Sequence, residues 1–178
     1  MPATPAALQK YWPAPAFALT ERSGQTVKLA DFAGKVWVAD FFYTTCPGPC
    51  PMMSSRLSKV QEQLGSEPNL RLVSISIDPA RDTPARLKAF GARFGAGPGW
   101  KFLTGKPADI ELIQRKLGLF DDMDAGKSLN EHNLDSMIGN QGTGRWMKSS
   151  PFESPEVTAA QLGSWLHNYK IEDRRAET

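Results

Sequence analysis

A nearly continuous run of β-prone apolar residues, Val-Trp-Val-Ala-Asp-Phe-Phe-Tyr at residues 36–43, constrains the fold of this chain most strongly. A run of this kind is typical of a central strand that is covered on both faces. Apolar residues then recur at helical spacing up to Gly65, and residues 70–77 alternate with a period of two. A strand, a helix and a strand in this order predict parallel pairing through a right-handed crossover, and therefore an α/β fold.

The remaining segments predict further elements around this unit. Residues 17–29 contain two short strand-like runs around a Gly turn, which indicates an N-terminal β-hairpin. A short strand is expected at residues 100–103, and a second hairpin from residues 134–138 and 144–147. Further helices are expected to start where a proline follows a capping or charged residue, at Pro84, Pro107 and Pro155.

The chain has 178 residues, of which 40% are hydrophobic, and this is enough to bury the core of one domain. We expect an extended lead-in over residues 1–15, one domain over residues 16–170 and a charged tail that frays over residues 171–178. Its 21 Lys and Arg against 19 Asp and Glu give a net charge of +2, with no dense basic run. This balance argues against a nucleic-acid partner.

No apolar stretch approaches the roughly 20 residues that a membrane-spanning helix needs. The first five residues also lack the basic and apolar regions of a signal peptide. The chain as written is therefore expected to be soluble, and its compartment has to be inferred from other features.

Two cysteines lie four positions apart, in the run Cys-Pro-Gly-Pro-Cys-Pro at residues 46–51. Cys46 is expected just past the carboxyl end of the central strand, at the sheet edge where ligands of open α/β sheets commonly bind. Proline favours the first helical position and disfavours the helical conformation for the residue before it. Pro51 therefore predicts that the helix begins at about residue 51, with Cys50 immediately before its N-terminus. The helix N-terminus stabilises a thiolate, which predicts a lowered pKa for at least one cysteine.

The spacing separates several interpretations of this thiol pair. Three intervening residues, two of them proline, hold a wide loop in which both sulfurs can face one point, and this suits Cu(I) or Cu(II). Zinc is disfavoured, because a structural site normally needs four ligands and the chain has only two cysteines and two histidines. Dithiol redox enzymes more often have two intervening residues, although three do not forbid a disulfide. The remaining alternative is that both cysteines are small buried hydrophobic residues with no chemical role.

Three runs of sequence together resemble the Sco/SenC family of thioredoxin-fold copper proteins, which is associated with assembly of the copper A centre of cytochrome c oxidase. They are Phe-Phe-Tyr-Thr-Thr-Cys-Pro-Gly-Pro-Cys-Pro-Met-Met at residues 41–53, Ser-Ile-Ser-Ile-Asp-Pro-Ala-Arg-Asp-Thr-Pro at residues 74–84 and Gly-Trp-Lys-Phe-Leu-Thr-Gly at residues 99–105. The resemblance implies a thioredoxin-like domain with a mixed central sheet, flanked by helices and preceded by the N-terminal hairpin.

Cys46 and Cys50 match the two copper thiolates of this family, and copper, as Cu(I) or Cu(II), is the implied ligand. The family's third ligand is a histidine on the loop before the late hairpin, and His132, in the polar stretch of residues 121–133, fits that place. His167 is expected to be a surface or packing residue of the last helix. Asn133 departs from the small hydroxyl residue that is common in the family after this histidine. The hairpin turn at residues 139–144 is unusually Gly-rich, and these departures leave room for a paralogue with other partners.

The resemblance also implies a function and a place in the cell. The implied function is that of a metallochaperone, a monomer that passes copper to the copper A subunit of cytochrome c oxidase or to another copper protein, and possible exchange activity leaves its status as an enzyme open. The implied location is the periplasm or the outer face of the inner membrane, with membrane contact only through an anchor that this chain does not contain.

A thiol-disulfide oxidoreductase is the alternative function. Asp40 interrupts the apolar strand six residues before Cys46, and in this it resembles the buried aspartate that precedes the active cysteines of thioredoxins. A buried carboxyl there has a raised pKa and can relay protons to a thiol, whereas an exposed or Arg-paired Asp40 has no such role. A peroxiredoxin-like peroxidase is disfavoured, because Ala39 and Tyr43 stand where that class needs proline and threonine.

Met52 and Met53 are expected to contribute at least one side chain to the core, and Asp78 to cap a turn.

Overall fold

The computed structural model describes residues 15–120, 122–131, 133–140 and 145–176. Within these ranges one seven-stranded mixed sheet runs in the order β2-β1-β5-β4-β3-β6-β7. The strands are β1 (Ala18–Glu21), β2 (Thr26–Lys28), β3 (Val36–Phe42), β4 (Leu70–Ser76), β5 (Trp100–Thr104), β6 (Ser136–Asn140) and β7 (Arg145–Ser149). The helices are α1 (Pro49–Leu64), α2 (Pro84–Arg93), α3 (Pro107–Lys116) and α4 (Pro155–Ala176).

β3 lies inside the sheet, and all seven of its residues are buried. It pairs in parallel with β4 on one side and antiparallel with β6 on the other, and β4 pairs in parallel with β5. The predicted central strand, its parallel crossover to β4 and the mixed thioredoxin-like sheet are confirmed. So is the N-terminal hairpin, in which Leu19 pairs with Val27.

Strand directions bring several chain segments to one edge of the sheet. β3, β4 and β5 are parallel, and β7 runs in the same direction because it is antiparallel to β6, which is antiparallel to β3. The carboxyl ends of these four strands therefore lie at the same edge as the start of β6. The cysteine loop after β3 and the chain entering β6 at residue 136 meet at this edge.

Two apolar clusters cover the two faces of the sheet. The first contains residues of α1, α2 and α4, among them Leu57, Phe90 and Leu162. The second lies against α3 and the N-terminal hairpin, and it includes Ile113 and Leu19. The sheet is buried between these layers, which is why the strands carry apolar residues on both faces.

Gly139 of β6 lies directly opposite Trp146 of β7, and a Cβ atom at position 139 would come within 1.9 Å of the indole ring. The same indole packs edge-on against Trp37 of β3, with ring centroids 4.9 Å apart. Only glycine leaves room for this arrangement. The predicted second hairpin is present, but β6 includes Gly139 and Asn140, which were predicted in the turn. Residues 141–144 lie outside the described residues.

One predicted helix boundary differs from the structure. The expected start of α1 at residue 51 is wrong, because the helix begins at Pro49 after the N-cap residue Gly48. Both prolines fit in the first turn, where backbone N–H groups have no partner within the helix, so Pro51 does not exclude Cys50. α4 continues to Ala176, past the point where fraying was predicted, and fraying of this end in solution stays a prediction. No helix in the described part of the chain is long and apolar enough to cross a membrane.

Candidate metal centre

The two cysteines lie where β3 leaves the sheet and α1 begins. Cys46 follows β3 in a tight turn, in which its N–H donates to the carbonyl oxygen of Tyr43 at 3.2 Å. Cys50 is the second residue of α1 rather than part of a loop before it. Both are free thiols; Cys46 is 6% exposed, whereas Cys50 is completely buried. A partner or an ion arriving from solvent therefore meets Cys46 first.

The surroundings of Cys46 favour its thiolate. Burial raises the pKa of this thiol, but hydrogen bonds to the sulfur outweigh burial and leave the pKa below its ordinary value. The donors are the thiol of Cys50, the backbone N–H groups of Gly48 and Cys50, and the hydroxyl of Tyr43. Backbone N–H groups at a helix start are the local source of the helix's positive end. The predicted thiolate stabilisation is thus present, and it acts on Cys46.

Cys50 has the opposite character. Burial is the main cause that raises its pKa well above the ordinary value, and donation of its proton to the Cys46 sulfur adds to this. Cys46 is therefore the sulfur that loses its proton more readily, and the Cys50 thiol donates a hydrogen bond to it. Such a pair suits both attack on a disulfide and displacement of a proton by a soft metal ion.

Tyr43 is a site residue that the sequence analysis missed. Its side chain is buried, and its hydroxyl donates to the Cys46 sulfur. Burial and the charge on Cys46 raise the pKa of Tyr43 to about 12, so the phenol keeps its proton and remains a donor. A hydroxyl-bearing aromatic residue three positions before Cys46 was the available signal.

Asp40 lies in the middle of β3 and is completely buried, so the alternative of an exposed strand position is wrong. Its Oδ1 accepts a hydrogen bond of 2.6 Å from Ser74, whose Oγ also accepts one of 3.0 Å from Trp100 Nε1. Burial raises the pKa of Asp40 to about 6, although the Ser74 hydrogen bond and the charge of Arg56 act in the other direction.

The charge of Asp40 connects the strand to the thiol pair and to α1. It is one of the causes that raise the pKa of Cys50. On the other side it faces Arg56 of α1, which is 5% exposed and donates from Nη2 to Ser136 Oγ at 3.1 Å. A buried carboxyl with a pKa near neutrality is what the oxidoreductase alternative requires. The nearby charge of buried Arg56 is the feature expected of the Arg-paired alternative, so both interpretations of Asp40 stay open.

The predicted third ligand, His132, lies outside the described residues. The residues on either side of it, Glu131 and Asn133, line a cavity of about 190 Å³ together with Ile77 and Pro79 at the end of β4. Within the described ranges, no group of three or more His, Cys, Asp or Glu side chains could hold a metal ion. The thiol pair alone is thus a two-donor site, and His132 as a ligand stays a prediction.

The neighbouring candidates behave as ordinary structural residues. Met53 is fully buried, whereas Met52 is 49% exposed, as expected for a helix with one apolar face. Asp78 is a turn residue: its N–H donates to Ser76 Oγ at 3.1 Å, and its carboxylate pairs with the exposed Arg81. His167 is exposed on α4.

Sequence comparison finds relatives that this chain matches over only part of their length. The chain is 37% identical over 103 residues to the SCO1 protein homolog of Bacillus subtilis, covering 56% of this chain and 53% of that protein. The second relative, from Stutzerimonas stutzeri, is likewise covered over 52% of its length. The chain thus spans about half the length of these relatives.

Solved structures match over nearly the whole chain. The Bradyrhizobium japonicum ScoI structure with copper bound has a TM-score of 0.72 and 27% identity, and it covers 86% of this chain and 99% of its own. A SCO1/SenC family lipoprotein from Bacillus anthracis has a TM-score of 0.74 and 28% identity, covering 93% and 98%. The SCO1/SenC family model itself matches residues 6–167, so this chain belongs to the SCO1/SenC family.

Proposed function

We propose that this protein binds copper through Cys46, Cys50 and His132 and delivers it to an acceptor copper protein, foremost the copper A subunit of cytochrome c oxidase. The observation that carries the proposal is the pair of free thiols at the carboxyl edge of the sheet, one with a lowered and one with a raised pKa. The solved relative from Bradyrhizobium japonicum holds copper.

The donor set fits copper. Two sulfur donors suit Cu(I), and an imidazole added to them gives a set that serves both oxidation states. Support for His132 comes from sequence order and from the strand that follows it. β6 starts at the edge that holds the cysteine loop, and Ile77, which shares a cavity with Glu131 and Asn133, donates from its N–H to Phe42 O of β3 at 2.8 Å.

Transfer would proceed by exchange of ligands. Thiols of the acceptor would replace Cys46 and Cys50 one at a time, so copper would pass directly from this protein to the acceptor without release to solvent. In this function the protein acts as a carrier rather than as an enzyme. Because Cys46 is the more accessible sulfur, we expect the first exchange to take place there.

Copper binding is tested by titrating the reduced protein with Cu(I) and with Cu(II), and by recording thiolate-to-copper charge transfer. Cys46→Ser, Cys50→Ser and His132→Ala should each weaken Cu(II) binding by tenfold or more and change the charge-transfer band. His167→Ala, which alters the exposed histidine, is the matched control and should behave as wild type. Equal affinity in His132→Ala and wild type would rule out the three-ligand site.

A thiol-disulfide oxidoreductase is the second candidate, and the unequal thiols favour it. The Cys46 thiolate would attack a target disulfide and release one target sulfur as thiolate. Cys50, after losing its proton, would then attack the Cys46 sulfur and release the second target thiolate. Two electrons pass to the target, and the protein keeps a Cys46–Cys50 disulfide. Disulfide reduction that persists in His132→Ala but not in Cys50→Ser would identify this activity.

The location follows from the same proposal. Delivery to a copper A centre places the protein outside the cytoplasm, at the periplasm or the outer face of the inner membrane, and the Bacillus anthracis neighbour is a lipoprotein. We expect a monomer. Cell fractionation and light scattering on the purified protein test these two points.

A further inference from the structure

Asp82 is a completely buried carboxylate that connects three segments next to the thiol pair. Its Oδ2 accepts hydrogen bonds from the backbone N–H of Thr44 at 3.1 Å and from Ser76 Oγ at 2.7 Å. Its Oδ1 accepts a further hydrogen bond from the hydroxyl of Thr44. One side chain thereby binds both the backbone and the side chain of a residue that lies 38 positions earlier in the sequence.

Thr44 is the point where the cysteine loop leaves the sheet. It lies two residues before Cys46, inside the turn that is closed by the hydrogen bond from Cys46 N to Tyr43 O. A displacement of Thr44 would therefore move the Tyr43 hydroxyl and the Cys46 sulfur relative to each other. The two hydrogen bonds to Asp82 fix the turn against the end of β4.

Asp82 is itself held rigidly. Its N–H donates to Asp78 O at 2.9 Å, and the next residue, Thr83, caps α2 by accepting from Arg86 N at 3.3 Å. Pro84 then occupies the first position of that helix. The carboxylate is thus presented from a helix start rather than from a mobile loop.

We propose that Asp82 is a positioning residue for the copper and thiol site, which holds the Thr44–Cys46 turn in the geometry that binds metal. This links the Cys-Pro-Gly-Pro-Cys-Pro run to the Asp-Pro-Ala-Arg-Asp-Thr-Pro run, since the second aspartate of the latter fixes the start of the former. The copper measurements below rest on the proposed function, whereas the disulfide measurement does not.

A carboxylate suits this place because three donors converge on it. The Thr44 N–H can only donate, so at least one acceptor must face it, and the two hydroxyls use the remaining acceptor positions. Asparagine supplies one acceptor oxygen, and its NH₂ group can replace Oδ1 only by donating to the Thr44 hydroxyl, which reverses that hydrogen bond and removes the negative charge that strengthens it. Asp82→Asn should therefore loosen the turn while keeping the volume of the side chain.

The test compares matched pairs of variants. Asp82→Asn is paired with Asp78→Asn, a buried carboxylate of the same loop whose carboxylate pairs with exposed Arg81. Thr44→Val, which removes the hydroxyl but keeps the N–H, is paired with Thr44→Ser, which keeps both. We expect Asp82→Asn and Thr44→Val each to weaken Cu(II) binding about tenfold and to shift the charge-transfer band, in the range seen for residues that orient metal ligands. Asp78→Asn and Thr44→Ser should stay within about twofold of wild type.

A second measurement needs no metal. The equilibrium constant between the Cys46–Cys50 disulfide and glutathione should change severalfold in Asp82→Asn and Thr44→Val, and not in the two controls. The double variant should change it less than the sum of the single effects predicts, because the two residues act through one contact. If wild type binds no copper, the proposed function fails, and this measurement still decides the role of Asp82.

Folding is checked by circular dichroism and thermal melting. A folded Asp82→Asn protein with the copper affinity, the spectrum and the disulfide equilibrium of wild type would overturn the proposal. Should Asp82→Asn not fold, Thr44→Val decides, because it leaves the contacts of Asp82 with Ser76 and with the Thr44 N–H in place. Wild-type behaviour of Thr44→Val would then overturn the proposal as well.

Discussion

The hydroxyl of Ser74 donates a hydrogen bond of 2.6 Å to Asp40 Oδ1 across the parallel pair β3 and β4, and both side chains are completely buried. Oδ2 of the same carboxyl has no hydrogen-bond partner within the described part of the chain. Burial raises the pKa of Asp40 from 3.8 to about 6, so between about pH 4 and pH 6 the folded protein retains a proton there that the unfolded chain has lost. The strand thus contains a weak acid that titrates near neutral pH.

The raised pKa of Asp40 predicts that the stability of the fold depends on pH. The folded-state pKa is the higher one, so the contribution of Asp40 is fully present below about pH 4 and is lost as the pH rises through about 6. The loss amounts to about 3 kcal/mol. Asp40→Asn stays neutral at all pH values, so the unfolding free energy of this variant relative to that of wild type should grow by that amount from pH 3 to pH 8. Urea unfolding at several pH values measures it.

The comparison with wild type at each pH removes the contribution of all other titrating groups. A difference that does not change with pH would contradict the raised pKa. A variant that becomes less stable than wild type as the pH rises would show that the attraction between the charges of Asp40 and Arg56 outweighs the cost of burial.

Tyr43→Phe should raise the pKa of Cys46. The variant removes a hydroxyl that donates to the sulfur, and donors of this kind stabilise the thiolate. The measurement is the rate of alkylation by iodoacetamide as a function of pH, with the modified cysteine identified by mass spectrometry. Thr45→Ala, at an exposed neighbouring position, is the control and should leave the profile unchanged. A Tyr43→Phe profile that coincides with wild type would exclude the hydrogen bond as a cause of thiolate stabilisation.

Gly139→Ala should destabilise the fold severely, because the new Cβ would lie 1.9 Å from the Trp146 ring. Overpacking of this kind costs about 1–3 kcal/mol or more. Gly163→Ala in α4 is the matched control: nothing lies within 4 Å of its Cβ, and the exchange favours the helix by about 0.5–1 kcal/mol. Chemical unfolding of both variants tests the opposite signs. Equal stability of Gly139→Ala and wild type would mean that the indole moves aside freely.

Met53→Ala and Met52→Ala separate packing from metal binding. Met53 is fully buried, so its truncation should cost about 2–5 kcal/mol, whereas the exposed Met52 should cost less than about 0.5 kcal/mol. Neither variant should change Cu(I) affinity, measured by competition with a chromophoric chelator on the folded protein. A tenfold loss in Met52→Ala would instead identify its thioether as a ligand.

Local patterns of the sequence predict the central part of the fold correctly. The apolar run of β3 and the alternating run of β4 are read directly from their side chains, because burial on both faces leaves few alternatives. The start of α1 is not predicted correctly because Pro49 and Pro51 are equally suited to a first helical turn, and the sequence pattern does not distinguish between them. Such boundaries depend on the conformation of one or two residues, which a pattern does not specify.

The contacts of the candidate site are less accessible to sequence reasoning. Cys46 and Cys50 are found from their spacing, but the bond from Thr44 to Asp82 joins residues 38 positions apart, and it exists only once β3 and β4 are paired. The burial of Asp40 likewise depends on what covers the strand. His132 is assigned from family resemblance, since no local pattern distinguishes it from a surface histidine.

The packing of Trp146 against Gly139 also has a consequence for the spacing of the site. A slip of the β6 and β7 ladder would bring Ile138 or Asn140 beneath the indole, where neither side chain fits, so the ring locks the alignment of β6. Each residue of such a slip would carry the chain before β6 along by about 3.4 Å. A tryptophan outside the proposed metal site thereby fixes the position along the sheet at which the chain enters β6, and with it the start of the loop that precedes Ser136.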